Sequence, residues 1–295
     1  MKPRVLLTSF AVLDPALVLE DLFRNLSNDF SDETLSTIFE IPVSALSKLR
    51  KFEPIEFDYL SKIRKACGLS AANFSYKGID YPAVLGKLTN KPVVPSRYSG
   101  YNYSSKHTTL SILSRFPQSM VLDALNFLQV DETFFSEGLM KEKTSTLMDS
   151  DLLFYLSQTF LLKDEGLYDL GLRSAFYHKE KAFGLAFEGL TLVQSYENLI
   201  REVKKHLDSS FDYELTSLTP EKAVIRRYLT NKVVDEQQVD LYSNTCLCKF
   251  TQGSLSAVAY YSQGKFAHTT EERCVFDGEA CCEFHVNLKT LTSLD

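Results

Sequence analysis

The chain has 295 residues, 44% of them hydrophobic, enough to bury a sizeable core in one large domain or two smaller ones. A net charge of −6 excludes indiscriminate nucleic-acid binding, so any such contact must come from a local basic face. With 21 Phe, 15 Tyr and no Trp, rings are available to line a pocket, although most Phe are expected in the core.

The first apolar run, Val5 to Leu13, is interrupted by Thr8 and Ser9 and falls far short of the roughly 18 residues a spanning helix needs. The start MKPRVLLTSFAVL loosely imitates a signal peptide, but Asp14 and Pro15 cut the run and no small-x-small cleavage site follows. Asp14-Pro15 reads instead as an N-cap and first helical position. The expectation is a cytoplasmic protein with no membrane contact.

Residues 15–66 read as short helices. The first carries Leu17, Val18, Leu22 and Phe23 at helical spacing. The second is capped by Asp32 and turns Leu35, Ile38 and Phe39 inward. After a break at Ile41-Pro42, SALSKLRK gives a third with Leu46 and Leu49 on one side. FDYLSKIRKACG gives a fourth that buries Tyr59, Leu60 and Ile63 and ends at Gly68. The Pro-, Gly- and Ser-rich stretch 90–107 suits a linker. Helical patterns return from Pro117, from Thr146 to Leu162, and in LTLVQSYENLIREVKKHL, whose stripe is Leu192, Tyr196, Leu199, Val203 and Leu207.

The pattern then changes to period two. Phe211, Tyr213 and Leu215 alternate with polar residues, and 222–229 is a partner strand. A helix-length segment, 245–262, precedes two strands, around His268–Phe276 and Cys281–Leu288, joined at Asp277-Gly278, a strong hairpin signal. The predicted fold class is α+β: an all-helical N-terminal domain (1–89), a linker (90–107), and an α/β domain with an antiparallel sheet (108–295).

Five of the six cysteines lie in the last fifty residues. In a reducing compartment such a cluster is more often a metal site than a disulfide framework. Cys248, Glu271, Cys274 and Cys282 can complete a tetrahedral zinc shell, because zinc accepts thiolate sulfur and carboxylate oxygen alike. In an ideal strand Glu271 and Cys274 point to opposite faces, so both reach one ion only if the strand is bulged there. Cys282 shares a face with Phe284, Val286 and Leu288 and points to the core. Cys281 shares the other face with Glu283 and His285 and is not a ligand. The alternative is that these cysteines are small buried hydrophobes.

The Glu271-x-x-Cys274 pair, the glycine turn and the Cys282-Glu283-Phe284 run resemble the vinyl-4-reductase domain family. Its phenol- and toluene-responsive bacterial regulators hold zinc with three Cys and one Glu. The resemblance implies a small, mostly apolar ligand enclosed between helices and sheet. Candidate lining rings are Phe154, Tyr155, Phe160, Phe176, Tyr177, Phe183 and Phe187. Core packing is the competing reading for each of them.

The segment DETLSTIFEIPVSALSKLRKFEPIEFDYLSKIRKACGLS resembles helix-turn-helix domains of the Cro and phage-repressor type. By that resemblance Ser44, Ala45, Ser47 and Lys48 face the major groove of double-stranded DNA, and Arg50 and Lys51 reach phosphates. Glu40 departs from the pattern, sitting where the family usually has Gly, and a left-handed backbone there costs a non-Gly residue about 1 kcal/mol or more. Pro42 replaces the usual polar cap.

The expected function is a one-component, homodimeric transcriptional regulator that senses a small hydrophobic molecule. The alternative is a ligand-binding adaptor whose helical head binds a protein. An enzyme is not expected, since no nucleophile is paired with a base at a recognisable spacing and a metal site with four protein ligands is closed; with no GxxxxGK[ST] loop, an ATP-driven activator is not expected either.

Overall fold

The computed structural model describes residues 13–51, 53, 55–91, 98, 103–130, 132–135, 143–206, 210–230 and 245–294. They form two compact units, one from the segments 10–99 and 117–136, the other from 100–116 and 137–295. The fold is α+β, as the change of hydrophobic period implied. No helix among the described residues is long and apolar enough to cross a membrane.

The first unit is all-helical: α1 (Pro15–Asp29), α2 (Asp32–Phe39), α3 (Val43–Arg50), α4 (Phe57–Cys67) and α5 (Tyr81–Leu88). Asp14 caps α1 by accepting from the Ala16 N–H at 2.9 Å, as expected. Its buried stripe is Leu22, Phe23 and Leu26, whereas Leu17 is 62% exposed and does not join the core. Ser31, not Asp32, caps α2, and Asp32 stands in the acidic first turn. The tight turn from α2 to α3 puts Glu40 in the left-handed region, φ 54° and ψ 42°. A β-carbon there is strained.

A further helix, α6 (Lys106–Leu113), begins inside the stretch expected to be linker, most of which lies outside the described residues. Helix α7 (Gln118–Leu128), expected in the C-terminal domain, groups instead with the helical head. Asn73 Nδ2 donates to the Phe127 carbonyl at 2.9 Å, and Asp80 N–H donates to Gln129 Oε1 at 2.8 Å. Hydrogen bonds made some fifty residues apart in sequence leave no periodic trace.

The second unit carries the strand pair β1 (Tyr103–Ser105) and β2 (Lys143–Ser145), and helices α8 (Thr146–Thr159), α9 (Asp164–His178), α10 (Ala182–Leu185) and α11 (Leu192–His206). There follow β3 (Phe211–Leu218), β4 (Lys222–Leu229), α12 (Cys246–Ser256), α13 (Val258–Gln263), β5 (Phe266–Arg273) and β6 (Cys282–Thr292). The sheet is antiparallel, in the order β3-β4-β6-β5. Its inner face, including Ala223, Ile225, Cys282, Phe284 and Val286, packs against Tyr196, Leu199 and Val203 of α11 and against α12 and α13. Leu207, the last residue of the expected stripe, lies outside the described residues.

Helices α9 and α12 cross at glycine on both sides. A β-carbon added at Gly253 would lie 2.0 Å from the Tyr168 carbonyl oxygen, and one at Gly171 2.0 Å from that of Phe250. The obstructing atoms are backbone, so the helices would have to separate. This close crossing sets the height of α12 above the sheet.

Two substitutions should therefore move stability in opposite directions. Gly253→Ala is expected to destabilise the second unit by about 1–3 kcal/mol or more through overpacking against backbone. Glu40→Gly is expected to stabilise the helical head by about 1 kcal/mol by relieving the left-handed turn. Urea unfolding curves of the two variants against the parent chain measure both.

Candidate metal centre

Three elements bring the predicted ligands together. Helix α12 presents Cys248, fully buried, with Thr251 about one turn further on. Strand β5 supplies Glu271. The β5–β6 register then slips, from Glu271 opposite Phe284 to Arg273 opposite Glu283, so Glu272 is the extra residue of a bulge. The bulge reverses the alternation and lets Cys274 follow Glu271 to the same ion, as the parity of the strand required. The chain leaves the strand at Cys274 into a 3-10 turn, Val275–Asp277, closed by Gly278 at φ 92°. The expected strand to Phe276 is thus shorter, ending at Arg273. Cys282 opens β6 on the inward face with Phe284, Val286 and Leu288, all buried.

The four ligand atoms of Cys248, Glu271, Cys274 and Cys282 lie within 4.8 Å of one another. Cys248 Sγ is 3.5 Å from Cys274 Sγ and 3.6 Å from Cys282 Sγ. These separations are too long for a disulfide and close to the edge of a tetrahedron with sulfur about 2.3 Å from its centre, roughly 3.8 Å. Glu271 Oε1 is buried and has no hydrogen-bond partner among the described residues. Its other oxygen is 3.5 Å from Lys249 Nζ. An orphaned carboxylate oxygen facing three sulfurs is the arrangement a cation completes, so the cluster can hold a metal ion. Cys281 is buried but stands outside the cluster.

Arg227 of β4, only 1% exposed, borders the sulfurs. It donates through Nη2 to Cys248 Sγ at 3.0 Å and to Cys282 Sγ at 3.5 Å, and through Nη1 to Thr251 Oγ1 at 2.6 Å. The Phe211 ring lies 4.3 Å from the centre of its guanidinium.

The thiols do not share one proton affinity. Cys282 is held far below the ordinary thiol range, by hydrogen bonds from Cys248 and Cys274 and by the charge of Arg227. Burial drives Cys248 well above that range. Cys274 is pushed up to about 12: the bond with Cys248 lowers it, but the bond to Cys282, burial, and the charges of Cys282 and Glu271 outweigh that effect. Burial and the Cys282 charge raise Glu271, against Lys249 and Arg227.

Beside the centre lies a cavity of about 100 Å³ between α8–α13 and the strands β3 and β4. Of the seven expected rings only Phe183 lines it; Phe250, Tyr213 and Tyr261 supply the others. Phe187 stacks on Tyr261 at 5.4 Å, one layer behind. Phe154 and Tyr155 are core residues of α8, and Tyr155 meets Phe160 edge-on at 5.6 Å. Phe176 is 40% exposed and packs on Tyr260, and Tyr177 lies beneath Lys181. Counting rings could not distinguish a lining residue from a core one. Arg227, Asp149, His178 and Ser174, which line it together with Thr108, Thr146, Thr251 and Ser254, were not foreseen.

In the helical head, Ser44, Ser47, Lys48 and Lys51 are exposed. Ala45 is 5% exposed and packed in the core with Leu46 and Leu49, so it cannot face a groove. Arg50 is paired with Asp32 across the α2–α3 turn.

No protein-family model matches the chain, and no curated protein is similar enough to count as a relative.

At neutral pH, metal binding is expected to release about two protons per ion, from Cys248 and Cys274, because ligand thiols must be deprotonated. Occupancy then falls as pH is lowered and the two thiols regain protons. Calorimetric titrations in buffers of different ionisation enthalpy count the protons. Cys274→Ser is expected to lose the ion and unfold at a lower temperature, while Cys281→Ser keeps it, as read by elemental analysis.

Proposed function

We propose that the second unit holds one structural zinc ion and senses a small hydrophobic molecule, and that the chain is a homodimeric, one-component transcriptional regulator. One observation carries the reading: a cluster of four ligand-competent side chains and a cavity are built on the same helix, α12. Three thiolates with one carboxylate suit zinc and disfavour the hard cations magnesium and calcium. Four protein ligands leave no open position for substrate, so the ion braces the fold rather than catalyses. The accessible wall of the cavity is mostly apolar, with hydroxyl and charged side chains set among the apolar ones, a make-up compatible with a ligand pocket.

The DNA-binding half of the proposal rests on the α2–α3 pair. The head would use Ser44 and Ser47 for base contacts, and Lys48 and Lys51 for phosphates. Arg50 serves the fold through Asp32, and Ala45 serves the core. In a dimer, ligand binding would change the separation of two α3 helices, which must lie about 34 Å apart to read successive half-sites.

A second reading has its own observation. Phe57 at the start of α4 is 80% exposed and Val43 at the start of α3 is 42% exposed. Large apolar side chains on the head favour an adaptor that docks on a protein.

Elemental analysis is expected to find about one zinc per chain in freshly purified, reduced protein, as a closed tetrahedral site requires. Gel-shift titrations on DNA flanking the protein's own gene separate the two uses of the head. For a regulator, replacing Lys48 and Lys51 with Ala lowers the salt dependence by about two phosphates' worth. Ser47→Ala narrows the gap between specific and non-specific DNA. Absence of any shift at low salt, with loss of a protein partner in Phe57→Ser, decides for the adaptor.

A further inference from the structure

The strand register that laces the outer face of the sheet also aims an arginine at the metal cluster. In the β4–β6 pairing Arg226 stands opposite Glu283, and Arg227 opposite Cys282. The outward pair closes a salt bridge at 2.7 Å. The inward pair lies on the core face, where side chains directly opposite each other come within about 5 Å. Arg227 is buried there. Its Nη2 donates to Cys248 Sγ at 3.0 Å and to Cys282 Sγ at 3.5 Å, so one nitrogen bridges the sulfurs of α12 and β6. Its Nη1 donates to Thr251 Oγ1, about one turn beyond Cys248 on the same helix. The rings of Phe211 and Phe284 lie 4.3 and 5.6 Å from the guanidinium carbon. Helix, strand and rings together hold the guanidinium in one place.

Charge gives that place its use. Three thiolates and a carboxylate exceed the charge of a divalent ion by two negatives, and Lys249 and Arg227 bring two positives. The two cations are not equivalent. Lys249 is part-exposed and meets Glu271 at 3.5 Å, where solvent screens the pair. Arg227 is enclosed with the sulfurs, and charge left uncompensated at such depth is expensive. N–H donation also orients a thiolate, as outer-sphere partners do for metal ligands in general. Cys248 and Cys282 share that one nitrogen and stand 3.6 Å apart, near the edge of a tetrahedral sulfur shell.

We propose that Arg227 is a positioning residue of the metal centre: it holds the sulfurs of Cys248 and Cys282 at ligand spacing and supplies the buried positive charge that a shell of three thiolates and one carboxylate requires. The proposal rests on the zinc reading above and adds to it a residue outside the ligand set. A guanidinium has no acceptor and no lone pair to give a metal, so Arg227 acts only through the sulfurs. It tightens the centre and lowers the electron donation of the two thiolates it touches. A lysine in its place keeps the charge but not the fork that reaches two sulfurs and a hydroxyl at once.

The test uses the full chain with zinc or cobalt(II) as the added metal. Chelator competition gives the zinc affinity, and the thiolate-to-cobalt charge-transfer band reports the sulfurs themselves. Arg227→Met keeps an apolar stem without donors and is expected to lose about ten- to a hundredfold of zinc affinity, the range of an outer-sphere partner. Its charge-transfer band is expected to move to longer wavelength, because a thiolate relieved of a charge-assisted hydrogen bond gives up an electron more readily. Arg227→Lys is expected to recover most of the affinity and part of the band position. Equal affinity and an equal band in the parent and in Arg227→Met overturn the proposal. Affinity lost equally in both variants, with the band unmoved, shows a packing role alone and overturns it as well. Should neither variant fold, the parent chain decides. Loaded with an NMR-active cadmium isotope, it is expected to show coupling from a guanidinium N–H across sulfur to the metal, and absence of that coupling overturns the proposal. A parent chain that takes up neither zinc nor cobalt overturns the zinc reading itself, and the proposal with it.

Discussion

Three sulfurs and a carboxylate crowded into a few ångströms beneath a helix are unstable without compensation, and the second unit is arranged around that fact. Burial alone opposes every negative charge in the cluster, as the raised proton affinities of Cys248 and Glu271 record. Arg227 and Lys249 offset part of the charge, and a divalent ion would offset the rest. A bound ion would tie α12 to the β5–β6 turn, adding to the bonds α12 already makes with β5, from Gln252 to the Thr269 carbonyl and from Ser256 to the Thr269 hydroxyl. Because the ligands exist together only in the folded chain, metal affinity here is folding energy.

The geometry that permits this is set at a distance from the ligands. Gly171 and Gly253 let α9 and α12 approach until backbone meets backbone. A side chain at either position would raise α12, and with it Cys248, from the sheet. On the opposite side, the bulge at Glu272 turns Glu271 and Cys274 toward one cluster of ligand atoms. The helix crossing fixes height and the bulge fixes direction. Neither residue set carries any metal-binding chemistry itself.

This division explains what could be read from the chain. The sheet was legible because period-two runs such as Phe211-Tyr213-Leu215 report burial on one face, and the four ligands because soft donors cluster around a glycine turn. The parity conflict at Glu271 and Cys274 even indicated the bulge. The helix α9 was harder, since its buried leucines Leu167, Leu170 and Leu172 are mixed with Gly171, Ser174 and His178, so that no clean apolar stripe results. The lining rings were misassigned because an aromatic residue has the same propensity in core and pocket. The place of α7 escaped because side-chain bonds such as Asn73 to Phe127 join segments far apart in sequence. Ala45, small and within a basic segment, read as groove-facing although its helical position relative to Leu46 and Leu49 turns it inward.

Arg227 is the most instructive omission. In KAVIRRYL the inward parity of β4 runs Ala223, Ile225, Arg227, so the strand pattern itself aims an arginine into the core. A charge at an inward position is either an error of register or a functional residue, and the neighbouring Ala223 and Ile225, both fully buried, exclude the first. The outward neighbour Arg226 behaves as a surface residue should, pairing with Glu283 at 2.7 Å across β4 and β6. Adjacent arginines on one strand thus do opposite work: one laces the outer face of the sheet, and the other spends its donors on sulfur. Buried polar groups demand satisfaction, and beside the sulfurs Arg227 Nε and Glu271 Oε1 have no hydrogen-bond partner among the described residues. Glu271 Oε1 belongs to the cluster of ligand atoms, so its open valence marks the place where a cation would complete the core.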